Sequence, residues 1–376
     1  MTVYWFLIIV TFFLHLLFMY LYLGGQISIG SYRKGINSPD IEFAREKVER
    51  KTIAAFFVFY ISLLCLRDRS VGIDTAKYIA LYFERFKYMN IKAVLQSTGD
   101  ELGFSLFSKI ISAATKSSQI YLTTIALVSV IPILCLYRNE CKDALLCCSF
   151  FLISLLFETF FSALRQGIAI GLAVPAYYYT KQNKIIPFLF FVFLATTFHL
   201  SAFIIVLMYP LYHAKITWRW LWGVVPIMVL LYRYNDIVFN NVLTNLGGKY
   251  ADKYLIYGYN ATGQYGLLVL FVMISIYCFV VLDESQASKD DIGLRNILLL
   301  ATALQLFAPL HVLASRMNYY FILFIPIALT RANYNCKKAF WQIAQVARVI
   351  MIAYFILYFF FMKGDALQIM NYQFCF

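Results

Sequence analysis

Residues 161–170 read FSALRQGIAI and place Arg165 near the middle of a stretch, Asp143–Thr180, that is otherwise almost entirely apolar. A charged side chain at bilayer depth costs about 2.5–3.5 kcal/mol on insertion scales, so it needs a partner, water or a ligand. Dividing the stretch into two helices, with Arg165 and Gln166 at a tight hairpin on one membrane face, avoids that cost. The sequence therefore predicts a membrane protein with polar residues at helix ends.

The composition of the whole chain indicates the same class. Of its 376 residues, 62% are hydrophobic and 14% are charged, against roughly 45–50% and 25% in soluble domains. Apolar runs of 15–24 residues recur along the sequence, as in membrane-spanning helices and not in transmembrane barrels. The 32 Lys and Arg residues outnumber the 19 Asp and Glu residues, and most of them flank these runs. This placement favours a role in orienting the helices in the membrane over binding to nucleic acid. The eight cysteines contain no CxxC pair, which favours packing over disulfides or zinc.

Twelve apolar runs predict an all-α polytopic protein with twelve membrane crossings, in one transmembrane domain, 1–376. They are residues 4–23, 52–66, 119–137, 143–161, 163–180, 185–199, 200–212, 218–232, 265–282, 294–312, 315–331 and 339–361. The amphipathic stretch 103–115 is predicted to lie at the interface or to re-enter the membrane, with a thirteenth crossing as the alternative.

Basic residues in the short loops predict the orientation. With both termini outside, Lys and Arg concentrate in the inside loops 24–51, 138–142, 181–184, 213–217, 283–293 and 332–338, as the positive-inside rule requires. The long outer segments are then 67–118 and 233–264, and the acidic cluster at 283–291 is interpreted as a solvated inside linker. This topology puts eight unusual polar residues on the outer face, which predicts a functional site there. They are Arg67, Arg69, Asp74, Glu101, Arg165, Gln166, His199 and Arg316.

Two motifs in the first outer segment carry charges suited to a site. The sequence RDRSVGIDTAKY (67–78) predicts a turning loop, because arginines at i and i+2 cannot share a helix face and Gly72 permits a bend. Guanidinium groups suit bidentate phosphate contacts; contact with lipid phosphates is the alternative.

The second motif in this segment is the carboxylate pair Asp100 and Glu101, which precedes the amphipathic stretch 103–115. Desolvation near the interface raises a carboxyl pKa and suits acid–base work, whereas helix capping is the alternative.

Two later motifs interrupt apolar runs. FHLSA (198–202) divides 185–212 and predicts two short helices that meet at His199. Histidine suits proton transfer near neutral pH, although a structural, hydrogen-bonded histidine is the alternative. ASRMNYYF (314–321) places Arg316 at another outer hairpin. For Arg165 the alternatives are an ion pair with Glu158 or a side chain that extends to the interface.

The outer segment 233–264 is rich in tyrosine, asparagine and glycine. Its tyrosines include Tyr250, Tyr254, Tyr257 and Tyr259, and Tyr265 follows directly after it. Aromatic rings and amides commonly bind sugars, and an interfacial aromatic belt is the alternative. The sequence has no GxxxxGK[ST], HExxH or DxD motif, which argues against ATP-driven energy coupling within this chain.

Four of these motifs together resemble a known family. A second span that ends in R…VGxDTxxY, an ELGF sequence, an FSxLRQxIA hairpin and an FHxSA break occur in the order and spacing of the EpsG/Wzy group of bacterial polysaccharide polymerases. The resemblance covers roughly residues 50–215, and the Arg316 hairpin is similar to the group's later arginine-containing turn. It implies a GT-C-like glycosyltransferase architecture in the bacterial inner membrane, with both termini periplasmic.

The resemblance also implies a reaction. The expected activity is transfer of a growing O-antigen, capsule or exopolysaccharide chain from undecaprenyl diphosphate to a lipid-linked repeat unit at the periplasmic face. No cofactor or metal is expected, and a separate chain-length regulator is an expected partner. A flippase for lipid-linked oligosaccharides and an O-antigen ligase are the alternatives.

Roles for the candidate residues follow from this chemistry. Arginines stabilise a departing diphosphate, and the acceptor hydroxyl needs a base, for which His199 is the first candidate and Asp74 or Glu101 the next. The residues expected to bind substrate are Arg67, Arg69, Tyr78, Arg165, Gln166 and Arg316.

Overall fold

The structure, a computed structural model, describes residues 2–23, 39–97, 101–237, 241, 263–361, 364–365 and 367–376. These residues form helices joined by short turns. In chain order the helices are α1 (Thr2–Leu23), α2 (Pro39–Leu66), α3 (Thr75–Tyr78), α4 (Arg85–Lys87), α5 (Ile91–Ser97), α6 (Leu102–Ala114), α7 (Ser118–Glu140), α8 (Ala144–Ile153), α9 (Leu155–Ser162), α10 (Leu164–Lys181), α11 (Ile185–Phe198), α12 (Met208–His213), α13 (Trp218–Arg233), α14 (Gly263–Val281), α15 (Lys289–Gln305), α16 (Val312–Ile322), α17 (Ile325–Tyr334) and α18 (Trp341–Phe361). A π-helical turn (Ile79–Glu84) joins α3 to α4, and 3₁₀ helices (Leu200–Leu207 and Lys338–Phe340) precede α12 and α18.

Every predicted apolar run overlaps a helix or a pair of helices. Among the described residues, four helical stretches are long and apolar enough to cross a membrane: Val3–Tyr22, Ser118–Glu140, Gln264–Val281 and Lys338–Phe361. The number rises to six if the bent pairs α8–α9 and α16–α17 each form one span. The chain is therefore a polytopic helical membrane protein, and twelve crossings remain a prediction.

Helix breaks occur at or near the polar motifs. His199 adopts an extended conformation between α11 and the 3₁₀ helix that follows, which confirms the predicted pair of short helices. α9 ends at Ser162 and α10 begins at Leu164, so Arg165 and Gln166 lie in the first turn of α10.

The hairpin predicted at Arg316 is wrong by several residues. The turn between α15 and α16 occupies 306–311, and Arg316 lies inside α16. Pro309 lies in this turn, and proline disfavours a helix interior because it lacks an N–H and its ring crowds the preceding turn. The apolar run continued across the turn and concealed it.

Aromatic packing joins α2 to the bent pair α8–α9. Phe57, Tyr60, Phe151 and Phe157 are buried, and the rings of Tyr60 and Phe151 meet edge to face with centroids 5.2 Å apart. The Tyr60 hydroxyl donates a hydrogen bond to the carbonyl of Phe157 at 2.6 Å. Van der Waals packing of this kind is a main source of association between helices in membranes, where water does not drive burial. The core thus fixes α9 directly before Arg165.

Ion pairs join the helix ends at the other end of α10. Glu140 accepts hydrogen bonds from Lys181 and Arg331, and Arg331 also donates to Asp291 at 3.0 Å. Lys181 lies 2.6 Å from Asp290. The loops 138–142, 181–184 and 283–293, all predicted to lie inside, therefore contact one another. The interpretation of 283–291 as a solvated linker is wrong at Asp290 and Asp291. These two residues lie at the start of α15 and form ion pairs with Lys181 and Arg331.

Candidate active site

Glu101 joins two candidate residues directly. It immediately precedes α6 and is 6% exposed. One of its carboxylate oxygens accepts a hydrogen bond from Nη1 of Arg165, and the other lies 2.7 Å from Nδ1 of His199. Three positions that are distant in sequence thus meet at one carboxylate, and we call Glu101, Arg165 and His199 the Glu101 cluster. The predicted alternative of an ion pair at Arg165 holds, but its partner is Glu101 and not Glu158.

A close approach of two helices brings the carboxylate and imidazole together. A Cβ on Gly103, in α6, would lie 2.3 Å from Oγ1 of Thr197 and 3.0 Å from its backbone carbon. Thr197 is in α11, two residues before His199, and Gly103 is two residues after Glu101. The absence of a side chain at Gly103 therefore sets the separation of Glu101 and His199.

Replacing Gly103 with alanine should destabilise the protein, because α6 and α11 must separate to accept the methyl group. Overpacking of this kind costs about 1–3 kcal/mol. Thermal unfolding of the purified protein in detergent measures the effect. Gly266→Ala is the matched control, since a Cβ at that helical position meets nothing within 4 Å. Equal stability of the two variants would contradict the close contact.

Two tyrosines surround the guanidinium group of Arg165. Its Nε donates a hydrogen bond to the Tyr78 hydroxyl at 3.0 Å, and Nη1 lies 3.5 Å from the Tyr82 hydroxyl. The guanidinium carbon lies 5.4 and 5.8 Å from the centres of these two rings, within the range of cation–π attraction. The contacts orient the guanidinium group and leave Nη2 without a hydrogen-bond partner among the described residues.

His199 presents one ring nitrogen to Glu101 and keeps the other available. The ring is buried, with the whole residue 7% exposed. Because an ionised carboxylate only accepts hydrogen bonds, Nδ1 carries the proton shared with Glu101. Nε2 has no hydrogen-bond partner in the described part of the chain and holds a lone pair. This arrangement makes Nε2 a potential proton acceptor.

The charges around Glu101, which lies outside the predicted spans, keep it ionised. Burial alone would raise its pKa, but the hydrogen bond with His199 and the positive charges of Arg165 and Arg316 outweigh burial and lower the pKa below its usual value. The predicted raised pKa is therefore wrong, because the carboxylate has partners of opposite charge.

Arg316 and Gln166 lie beside the cluster. The positive charge of Arg316 contributes to the lowered pKa of Glu101. Nε2 of Gln166 donates a hydrogen bond to the backbone carbonyl of Arg316 at 2.8 Å, which ties the start of α10 to α16. The Tyr320 hydroxyl, one turn further along α16, lies 3.2 Å from Oγ of Ser201, two residues after His199. Polar contacts thus connect the start of α10, α16 and the 3₁₀ helix that follows His199.

The remaining candidates in the loop 67–74 have different surroundings. Arg67 is 1% exposed, and its Nη1 donates to the carbonyls of Phe160 and Phe161 at 3.2 and 2.7 Å. Arg69 is exposed, and the hydrogen bonds of the Arg67 side chain go to α9 and not to the Glu101 cluster. The half-buried Asp74 receives no side-chain hydrogen bond in the described residues, while its backbone N–H donates to Oγ of Ser162 at 3.3 Å.

Some predictions lie outside the described residues. They are the role of Asp100 and that of Tyr250, Tyr254, Tyr257 and Tyr259. Sequence reasoning also missed one residue of the site, Tyr82. The signal was present, because Tyr78 and Tyr82 are separated by one helical turn and such residues share a face.

A comparison with known protein families covers the candidate residues described above. A family model described as the EpsG family matches residues 52–374, most of the chain. The chain belongs to the EpsG family. EpsG proteins form a Wzy-like polysaccharide polymerase family, which confirms the resemblance of the four motifs. No curated protein and no solved structure matches the chain. The EpsG match contains the whole Glu101 cluster, Arg316 and the loop 67–74.

Proposed function

We propose that this EpsG protein is a glycosyltransferase that extends a polysaccharide at the periplasmic face of the bacterial inner membrane. It transfers a growing glycan from undecaprenyl diphosphate to the non-reducing end of a lipid-linked repeat unit. The observation that carries this proposal is the Glu101 cluster, in which a proton acceptor and a guanidinium group are held by one carboxylate. Membership of the EpsG family supports polymerisation in general.

Arg165 and Arg316 receive the diphosphate in this proposal. The Arg165 side chain is 25% exposed, and its Nη2 makes no hydrogen bond to the described residues. Tyr78 and Tyr82 hold the group in one orientation before substrate arrives. A donor fixed in this way stabilises developing negative charge without reorganisation, and Arg316 supplies a second positive charge nearby. Gln166 positions Arg316 through its backbone carbonyl.

His199 is the proposed base. The acceptor hydroxyl transfers its proton to Nε2 as its oxygen bonds to the anomeric carbon of the donor sugar. The bond between that carbon and the diphosphate oxygen breaks, and undecaprenyl diphosphate leaves with the electron pair. Glu101 stabilises the resulting imidazolium ion across the 2.7 Å contact at Nδ1. Asp74 is the second candidate for the base, because its carboxylate is not held by hydrogen bonds in the described residues.

The charge distribution supports the periplasmic placement. The described parts of the loops rich in Lys and Arg lie at the end of the bundle that contains Glu140, Lys181 and Arg331. Cytoplasmic loops carry such an excess of basic residues. The Glu101 cluster lies at the opposite end of α10 and therefore faces the periplasm in this proposal.

Purified protein in liposomes with synthetic undecaprenyl-diphosphate-linked repeat units tests the proposal. We expect a ladder of longer lipid-linked glycans, resolved by electrophoresis or mass spectrometry. Movement of intact repeat units across the bilayer, without longer products, would instead identify a flippase. Transfer that occurs only to a lipopolysaccharide core acceptor would identify a ligase.

A further inference from the structure

Residues 367–376 lie across the loop that follows α2, and we call them the strap. Arg67 and Phe374 form an antiparallel bridge. Four backbone hydrogen bonds join the two segments: Cys375 N to Leu66 O at 2.9 Å, Asp68 N to Gln373 O at 2.8 Å, Gly72 N to Gln368 O at 3.1 Å and Ile73 N to Leu367 O at 3.0 Å. The strap therefore holds the loop 67–73 at both of its ends.

Buried contacts hold the strap in place. The hydroxyl of Tyr4, in α1, donates a hydrogen bond to the carbonyl of Ile369 at 2.7 Å, and Ile369 is fully buried. The hydroxyl of Tyr372 donates to the carbonyl of Leu63, in α2, at 2.7 Å. The carboxylate of Asp365 accepts a hydrogen bond from the Ile369 N–H at 2.7 Å. These contacts distinguish the strap from an untethered chain end, which would lack such partners.

The loop in turn holds the end of α9. Arg67 donates to the carbonyls of Phe160 and Phe161, and Oγ1 of Thr75 donates to the Phe161 carbonyl at 2.8 Å. The last carbonyls of a helix have no partner within the helix. These donors therefore fix the position at which α9 stops.

Gly72 allows the loop to lie this close to α9. Its φ is +93°, and a Cβ there would lie 2.3 Å from the carbonyl oxygen of Phe161. Only one residue, Ala163, separates the end of α9 from α10, whose second residue is Arg165. A continuous series of contacts thus connects the strap, the loop, the end of α9 and the guanidinium group.

We propose that the strap, acting through Arg67, positions Arg165 for the transfer reaction. Arg67 is a positioning residue in this account and not a diphosphate ligand, since its guanidinium group is buried against backbone carbonyls. The kinetic consequence rests on the proposed function. The structural consequence, an ordered junction between α9 and α10, does not depend on it.

Two variants test the strap. The first deletes residues 367–376, and the second, Cys375→Pro, removes the N–H that donates to Leu66. A misplacement of about 1 Å at a catalytic group costs about a hundredfold in rate. We therefore expect kcat for glycan extension to fall about tenfold to a hundredfold, with KM for the lipid-linked substrate changed less than about twofold. Cys375→Ala is the matched control, because it keeps the N–H that donates to Leu66 and replaces only an exposed side chain.

The substitution Ala163→Cys, in a background where the exposed Cys135 is replaced by alanine, gives a readout that is independent of activity. Its labelling by a maleimide should be faster in both strap variants than in the Cys375→Ala control, because the α9–α10 junction loosens; all three lack the exposed Cys375. Full kcat in the deletion variant would overturn the proposal, as would lower thermal stability with unchanged kcat for the folded fraction. If the deletion variant fails to fold, Cys375→Pro decides by the same criteria. If the unaltered protein makes no polymer, the proposed function is wrong. The role of the strap is then judged by labelling alone, and unchanged labelling in the strap variants would contradict it.

Discussion

Replacing Arg165 with alanine should reduce polymer synthesis at least about a hundredfold, because removal of one preorganised donor to a developing negative charge typically costs about 10²–10³ in kcat. Arg165→Lys should retain part of the activity, since a lysine keeps the charge but loses the planar fork and the stacking on Tyr78. Initial rates with synthetic lipid-linked repeat units, normalised to folded protein, measure both effects.

The ion pair with Glu101 requires a control for this experiment. Removing one partner of a buried ion pair costs about 3–5 kcal/mol, because the other charge is left without compensation. The double variant Glu101→Gln with Arg165→Met removes both charges and should recover much of the thermal stability lost in Arg165→Ala. We expect it to remain inactive. Restored polymer synthesis in the double variant would reduce Arg165 to a structural ion pair.

Replacing His199 with glutamine should slow glycan extension by about 10²–10⁴, the usual contribution of a general base. Glutamine can still donate a hydrogen bond to Glu101, so the cluster keeps its geometry while it loses the proton acceptor. His213→Gln is the matched control, because His213 contacts the Thr180 carbonyl at the other end of α10. A normal rate in His199→Gln would transfer the role of base to Asp74, which Asp74→Asn then tests.

The pH dependence of the rate separates His199 from Glu101. The pKa of Glu101 is lowered in the folded protein. Its contribution to stability is therefore complete above the ordinary value of about 4.3 and is lost only as the pH falls through the lower, folded value. Glu101 thus stays ionised between about pH 5 and 8, the range in which histidine changes its charge. In the unaltered protein we expect the rate of glycan extension to fall as the pH is lowered from about 8 to about 5. In His199→Gln the residual rate should not change with pH over this range.

The helices could be predicted from the sequence because each long apolar run marks a segment able to cross a membrane as a helix. The break at His199 was visible from length, since the 28 residues of 185–212 are too many for one span and few for two. The pairing of Glu101 with Arg165 was not visible, because no local pattern indicates which of several outer carboxylates meets a given cation. The packing of α6 against α11, which depends on the absence of a side chain at Gly103, brings Glu101 to His199, and Arg165 reaches the same carboxylate from the start of α10.

The errors have equally local causes. The turn at 306–311 consists largely of apolar residues, so hydrophobicity alone could not separate it from the helices on either side. Asp290 and Asp291 resembled a solvated loop because their partners, Lys181 and Arg331, lie far away in the sequence. The strap was missed because a short segment of turns and bends that pairs through its backbone carries no periodicity in its side chains.

Glu101 divides its negative charge between a guanidinium group and an imidazole ring. An incoming anion that competes for Arg165 would leave the carboxylate to His199 alone and make the ring a stronger proton acceptor. Arrival of the donor would then prime deprotonation of the acceptor, and an empty site would hold its base in a subdued state. Such an order of events would make the strength of the base depend on whether the donor is bound.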